Sequence, residues 1–77
     1  MKLEKLLRET LFLPDSIMIT DAAGPGQIEG WDSLGHVTLI SAIENSFGVS
    51  FDMEEIMMIE SLTDIKRMLQ LKGVTDF

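Results

Sequence analysis

"DSLGHVTLISAIENSFG", residues 32–48, reads as one complete helix with both of its ends specified. Asp32 can cap the start by accepting a hydrogen bond from the backbone N–H of Leu34 or Gly35. Leu34, Val37, Ile40, Ile43 and Phe47 supply an apolar stripe at helical spacing, with Leu39 flanking it. Gly48 suits the left-handed position just past the last turn. The spacing predicts a helix over 33–47.

Working outward, Leu3, Leu6, Leu7 and Leu11 fall on one face of a first helix, with Lys2, Glu4, Lys5, Arg8 and Glu9 on the others. Glu4 and Arg8 stand four apart in the favourable orientation, and Pro14 is expected to stop the helix. Residues 14–30, "PDSIMITDAAGPGQIEG", hold both prolines and no sustained period, so they read as a long connection. Ile17, Ile19 and Ile28 are its expected apolar pegs, with a short turn near Asp15–Met18. Beyond Gly48, Asp52 can cap a short third helix whose first turn carries Glu54 and Glu55, the favourable sign for the helix dipole. Ser61 and Asp64 form a variant capping box opening a fourth helix with Leu62, Ile65, Met68 and Leu69 inward; Gly73 ends it and the last four residues fray. The expected fold is all-α: a small four-helix bundle, one domain over residues 1–77, with three longer helices, a short third one and a long first loop.

Composition agrees with this and narrows the function. With 45% hydrophobic but only 6% aromatic residues, the core must be built from aliphatic side chains and methionine. A chain of 77 residues leaves no room for a deep pocket and yields only about 3–5 kcal/mol of net stability from one core. There is no cysteine, hence neither a disulfide framework nor a thiolate metal site, and a reducing compartment is permitted. No apolar run is long enough to span a bilayer and the N-terminal stretch lacks a signal-peptide pattern, so a cytoplasmic location without membrane insertion is expected.

The net charge of −7 is unevenly spread, because every Lys and Arg lies in Lys2–Arg8 or Lys66–Lys72. Between them stand eleven carboxylates: Glu9, Asp15, Asp21, Glu29, Asp32, Glu44, Asp52, Glu54, Glu55, Glu60 and Asp64. Such a body repels phosphate backbones, which excludes nucleic acid as partner, and it suits proteins with basic patches. The plainer alternative is that the acidity serves solubility alone.

Ser33 is the leading chemical candidate. At the first turn of its helix it sits where unsatisfied N–H groups and the dipole favour an anion, so a phosphate ester there would be stabilised by the helix terminus. The competing structural role is that Ser33 itself is the cap. Ser33 and His36 are three apart with Asp32 adjacent, but a hydrolase would also need an oxyanion hole and a cleft, and His36 reads as a surface residue beside the serine. The twelve residues Asp21–Asp32 have the length and central glycine of a calcium loop. They place Ala23 and Pro25 where ligating oxygens belong, so the calcium reading fails. Met53, Met57, Met58 and Met68 are either core fillers or a deformable lining for a guest, and Trp31 is either an apolar peg or a docking residue.

Taken together, "GWDSLGHVTLISAIENSFGVSFDMEEI" and "IESLTDIKRML" resemble the acyl carrier protein family over essentially the whole chain. Asp32-Ser33-Leu34 alone carries little; joined to the helix stripe, Phe47-Gly48, the acidic short helix and the long first loop it is specific. The resemblance implies a phosphopantetheine arm, covalently attached to Ser33 by a phosphopantetheinyl transferase from coenzyme A, whose thiol carries acyl groups as thioesters. It implies a monomeric, non-catalytic carrier that presents its cargo to acyl-loading and acyl-processing enzymes with basic docking patches, in a fatty-acid, lipid or polyketide-type pathway. Partner contacts are expected at Asp32, Leu34, Val37, Glu44, Glu54 and Glu55. In typical fatty-acid carriers the exposed face of the second helix is strongly acidic. Here Gly35, Thr38 and Ser41 leave Glu44 as its one carboxylate beyond Asp32, which points to a specialised carrier. An aminoacyl or peptidyl carrier, and an unmodified acidic helical adaptor, are the alternatives.

Overall fold

The computed structural model describes residues 2–28 and 30–77, so Glu29, one of the eleven carboxylates, lies outside the described residues. These residues form four α-helices and no strand: α1 (Lys2–Thr10), α2 (Ser33–Phe47), α3 (Met53–Met58) and α4 (Leu62–Leu71). One aliphatic core joins them. Leu3 and Leu7 of α1, Leu39, Ile40 and Ile43 of α2, and Leu62, Ile65 and Leu69 of α4 are almost completely buried around Trp31.

Each of the last three helices starts where a local side chain satisfies its free N–H groups. Asp32 accepts from Gly35 N–H at 2.8 Å, and Ser61 accepts from Asp64 N–H. Asp52 and Glu55 complete a reciprocal capping box at α3. The long loop completes α4 from outside, because the carbonyls of Ala23 and Asp21 accept from Leu62 and Thr63 N–H at 2.8 and 3.0 Å. Lys66 reinforces the junction through an ion pair with Asp21 at 2.6 Å. Within the loop, Ile28 is buried, Ile19 packs on the core and Ile17 is half-buried; Ile17 N–H closes the short turn on Pro14 O.

Three expectations need correction. The inward face of α2 is rotated from the expected stripe. Leu39 lies at its centre, whereas Leu34 and Val37 are 78% and 54% exposed. At about 100° per residue, His36, Leu39, Ile40, Ile43 and Phe47 fall on one arc and Leu34 lies roughly opposite. A Leu and a Val at nearly the right spacing disguised that rotation.

Pro14 does not end α1. The last helical residue is Thr10, and Phe12 adopts a left-handed conformation (φ 55°) that lets Leu13 N–H bond back to Arg8 O at 2.9 Å. The same return closes α2 at Gly48, with Val49 on Glu44 O, and α4 at Gly73, with Val74 on Leu69 O.

The C-terminal residues do not fray. Val74 and Phe77 pack against the core, and Phe77 O accepts from Leu3 N–H at 3.4 Å.

α3 has no fully buried residue, so its position depends on contacts at its ends. Glu55 receives hydrogen bonds from Asp52 N–H and from the Lys72 ammonium, each at 3.0 Å, and Lys72 also lies over the Phe51 ring. The backbone bond from Asp52, then Lys72, hold the Glu55 carboxyl below its ordinary pKa. A lowered folded-state pKa contributes stability that is complete above the ordinary carboxylate range and disappears as pH falls through the folded value. Urea titrations at decreasing pH should show Glu55→Gln converging on the unsubstituted protein in acid. A gap that stays constant with pH contradicts this assignment.

Candidate functional site

The first turn of α2 puts its serine outside the core and beside a hollow. Asp32 takes the cap in extended conformation, leaving the Ser33 hydroxyl free of that role and Ser33 exposed as the first helical residue. Ser33 borders an open groove of about 530 Å³. Asp32 and Val37 of the same region, Met53, Ile56 and Met57 of α3, and Pro25 and Gly26 of the loop make its walls. Trp31, His36 and Ile59 also line it, and Trp31 and Ile59 are 1% and 3% exposed. Among the described residues, no lysine or arginine lines it.

His36 is not the surface residue its sequence position suggested. Trp31 Nε1–H donates to His36 Nδ1 at 2.8 Å, and His36 Nε2 lies 2.9 Å from Ile56 O. The indole can only donate and the carbonyl can only accept. One neutral tautomer, with its proton on Nε2, therefore satisfies both contacts. The two rings are stacked, with planes 21° apart. A sequence signal for this pairing existed: Trp31 precedes the cap and His36 is the fourth helical residue, the spacing at which a side chain before a helix packs on its first turn. With both ring nitrogens engaged, His36 is not arranged to take a proton from Ser33, which removes the basis of the hydrolase reading.

The structure brings some of the expected residues together and separates others. Asp32, Ser33 and Val37 share the groove; Leu34 is exposed on the adjoining surface. Glu54 is exposed at the start of α3, while Glu55 is engaged by its capping box and Lys72. Glu44 stands about three turns further along α2. Its carboxylate accepts from Phe51 N–H at 2.7 Å and so also braces the α2–α3 connection. Met53, Met57 and Met58 are about 70% exposed or more, so the methionines of α3 form surface rather than core; Met68 alone of that group is partly buried. Trp31 is the buried peg.

Gly35 acquires a reason that its sequence position concealed. A Cβ built there would lie 1.9 Å from the Gly30 carbonyl oxygen, so the loop backbone crosses α2 where no side chain can stand. That crossing holds the loop beside the cap and leaves Ser33 at the outer edge of the turn.

A phosphodiester on Ser33 fits these residues. The hydroxyl is exposed at the start of a fifteen-residue helix whose first N–H groups favour an anion, and an apolar groove adjoins it. Residues 29–69, more than half of the chain, match the family described as the phosphopantetheine attachment site. An acyl carrier protein homolog from Mycoplasma genitalium is 40% identical over 47 residues, an alignment that covers 56% of this chain and 56% of that relative. The chain thus matches little more than half the length of that curated relative. No solved structure matches the chain.

Helix propensity alone would make Gly35→Ala stabilising by about 0.5–1 kcal/mol. The clash with Gly30 O reverses the sign, and a loss of about 1–3 kcal/mol is expected in the urea midpoint, as for other overpacked sites. A more stable alanine variant would show that the loop does not cross so closely.

Proposed function

Because the chain belongs to the acyl carrier protein family, whose members hold a covalent phosphopantetheine, we propose that Ser33 is the attachment residue and that residues 1–77 act as one non-catalytic carrier unit. The observation that carries this reading is the exposure of Ser33 at the first position of α2, with Asp32 rather than Ser33 serving as cap. When bound, the arm supplies a thiol that holds acyl groups as thioesters, and tethering raises their effective concentration at a docked enzyme.

The chain's own part is to present and orient. Ser33 Oγ attacks the coenzyme A phosphorus that bears the pantetheine arm; the new Oγ–P bond replaces the pyrophosphate P–O bond, and adenosine 3′,5′-bisphosphate leaves. Its proton passes to a base of the phosphopantetheinyl transferase, since His36 is held by Trp31 and Ile56. The α2 N-terminus then favours the phosphodiester charge. Acyl-loading and acyl-processing enzymes dock basic patches against Asp32 and Glu54 and apolar side chains against Leu34 and Val37. Glu44 and Glu55 contribute charge to that face while bracing α3. The weakly acidic α2 surface, with Thr38 and Ser41 exposed, supports a dedicated rather than a general fatty-acid, lipid or polyketide-type pathway. Monomeric action and a cytoplasmic location belong to the same reading. No described helix is long and apolar enough to cross a membrane.

Incubation with coenzyme A and a phosphopantetheinyl transferase should raise the intact mass by one arm, and Ser33→Ala should abolish the rise while retaining the helical circular dichroism spectrum. Absence of the rise, or its survival in Ser33→Ala, defeats the assignment. Glu54→Lys should lower the transferase kcat/KM by on the order of tenfold at low salt, with the difference shrinking as salt screens it.

A further inference from the structure

Between Ser33 and the aliphatic core stands a wall made by two side chains. Trp31 fills the space under the first turn of α2 and is 1% exposed. His36 bonds to its indole on one side and to Ile56 O, near the end of α3, on the other. α3 contributes no fully buried residue; Ile56 packs on the core only in part, and the Glu55–Lys72 pair holds the start of the helix, which leaves its later part against α2 to His36. The two hydrogen bonds of His36 are thus a direct link across the seam through which a chain tethered beside Ser33 would pass inward. Outside that wall, the groove offers an apolar surface of Val37, Met53, Ile56 and Met57, and methionine thioethers adapt to flexible alkyl guests.

We propose that His36 is a specificity-determining latch: it holds α3 against Trp31, so that an acyl chain carried on Ser33 lies in the open groove and is excluded from the core. The proposal rests on the attachment at Ser33. It selects short or polar acyl groups as cargo, because a long alkyl chain would keep its solvent-facing side, and whatever extends past the open groove, in water, and it keeps the cargo reachable by a docked enzyme without displacement of α3. His36 acts through Trp31 and Ile56 and touches the cargo only at the groove floor; its role is positioning.

The test compares apo, pantetheine-bearing, acetyl, octanoyl and dodecanoyl forms by methyl NMR, each form first verified by intact mass. Expected are shifts of the Val37, Met53 and Met57 methyl signals with acyl loading, while the Leu39, Ile43 and Leu62 methyls stay in place at every chain length. Core methyls moving progressively with chain length overturn the proposal. In His36→Ala the octanoyl form should shift the core methyls. In His36→Gln, whose amide N–H can reach toward Ile56 O from near the Nε2 position, they should return to place. Core signals unmoved in His36→Ala remove the role of His36, and if that variant does not fold, the comparison of chain lengths in the unsubstituted protein still decides. Failure of the mass to rise defeats the attachment at Ser33 instead, and the two failures are distinguished before any spectrum is read.

Discussion

A hydrogen bond of 2.8 Å from the Trp31 indole to the ring of His36 joins the end of the long loop to the first turn of α2, and the opposite nitrogen of the same ring reaches α3 at Ile56 O. Three segments of the chain meet on one imidazole. Half-buried ring nitrogens without partners would be expensive, so the loop and α3 must both sit where they do for the ring to be satisfied. Asp32, next to Trp31 in sequence, caps α2, and Gly30 crosses at Gly35. The location of Ser33 at the outer edge of that turn follows from this arrangement.

α3 shows what such polar ties accomplish when burial is scarce. A six-residue helix cannot persist on its own propensity, and this one presents Met53, Met57 and Met58 to solvent. It is fixed at its start by the Asp52–Glu55 box and Lys72, at its end by His36, and through its approach segment by Glu44 on Phe51 N–H. Of these, Met53 and Met57 then line a groove without having to stabilise the helix that bears them.

What could be read from the sequence was what neighbouring residues decide. Asp32, Asp52 and Ser61 cap their helices because a short polar side chain and an N–H three residues on meet within one turn; Gly48 adopts the left-handed position expected of it, and Gly73 stands just past the end of α4 as expected. Ser33 stood out for the same reason. The rotation of α2 was not legible, since Leu34 and Val37 satisfy the helical period as well as residues that are truly inward. Nor was the role of Gly35, which depends on the carbonyl of Gly30 in a loop without periodicity, or that of Phe12, which does at the end of α1 what glycine does at the ends of α2 and α4. His36 was misplaced because its two partners are an indole five residues back and a carbonyl twenty residues on, and only the first leaves a trace in local spacing.

The carbonyls of Asp21 and Ala23 finish the first turn of α4 from some forty residues upstream. Until the loop arrives, the N–H groups of Leu62 and Thr63 face water and that end of the helix lacks part of its closure. Ordering of the loop and completion of α4 are therefore one event in folding. The barrier to that event includes closing a long segment of chain, a slower step than winding α1 or α2 from contacts close in sequence.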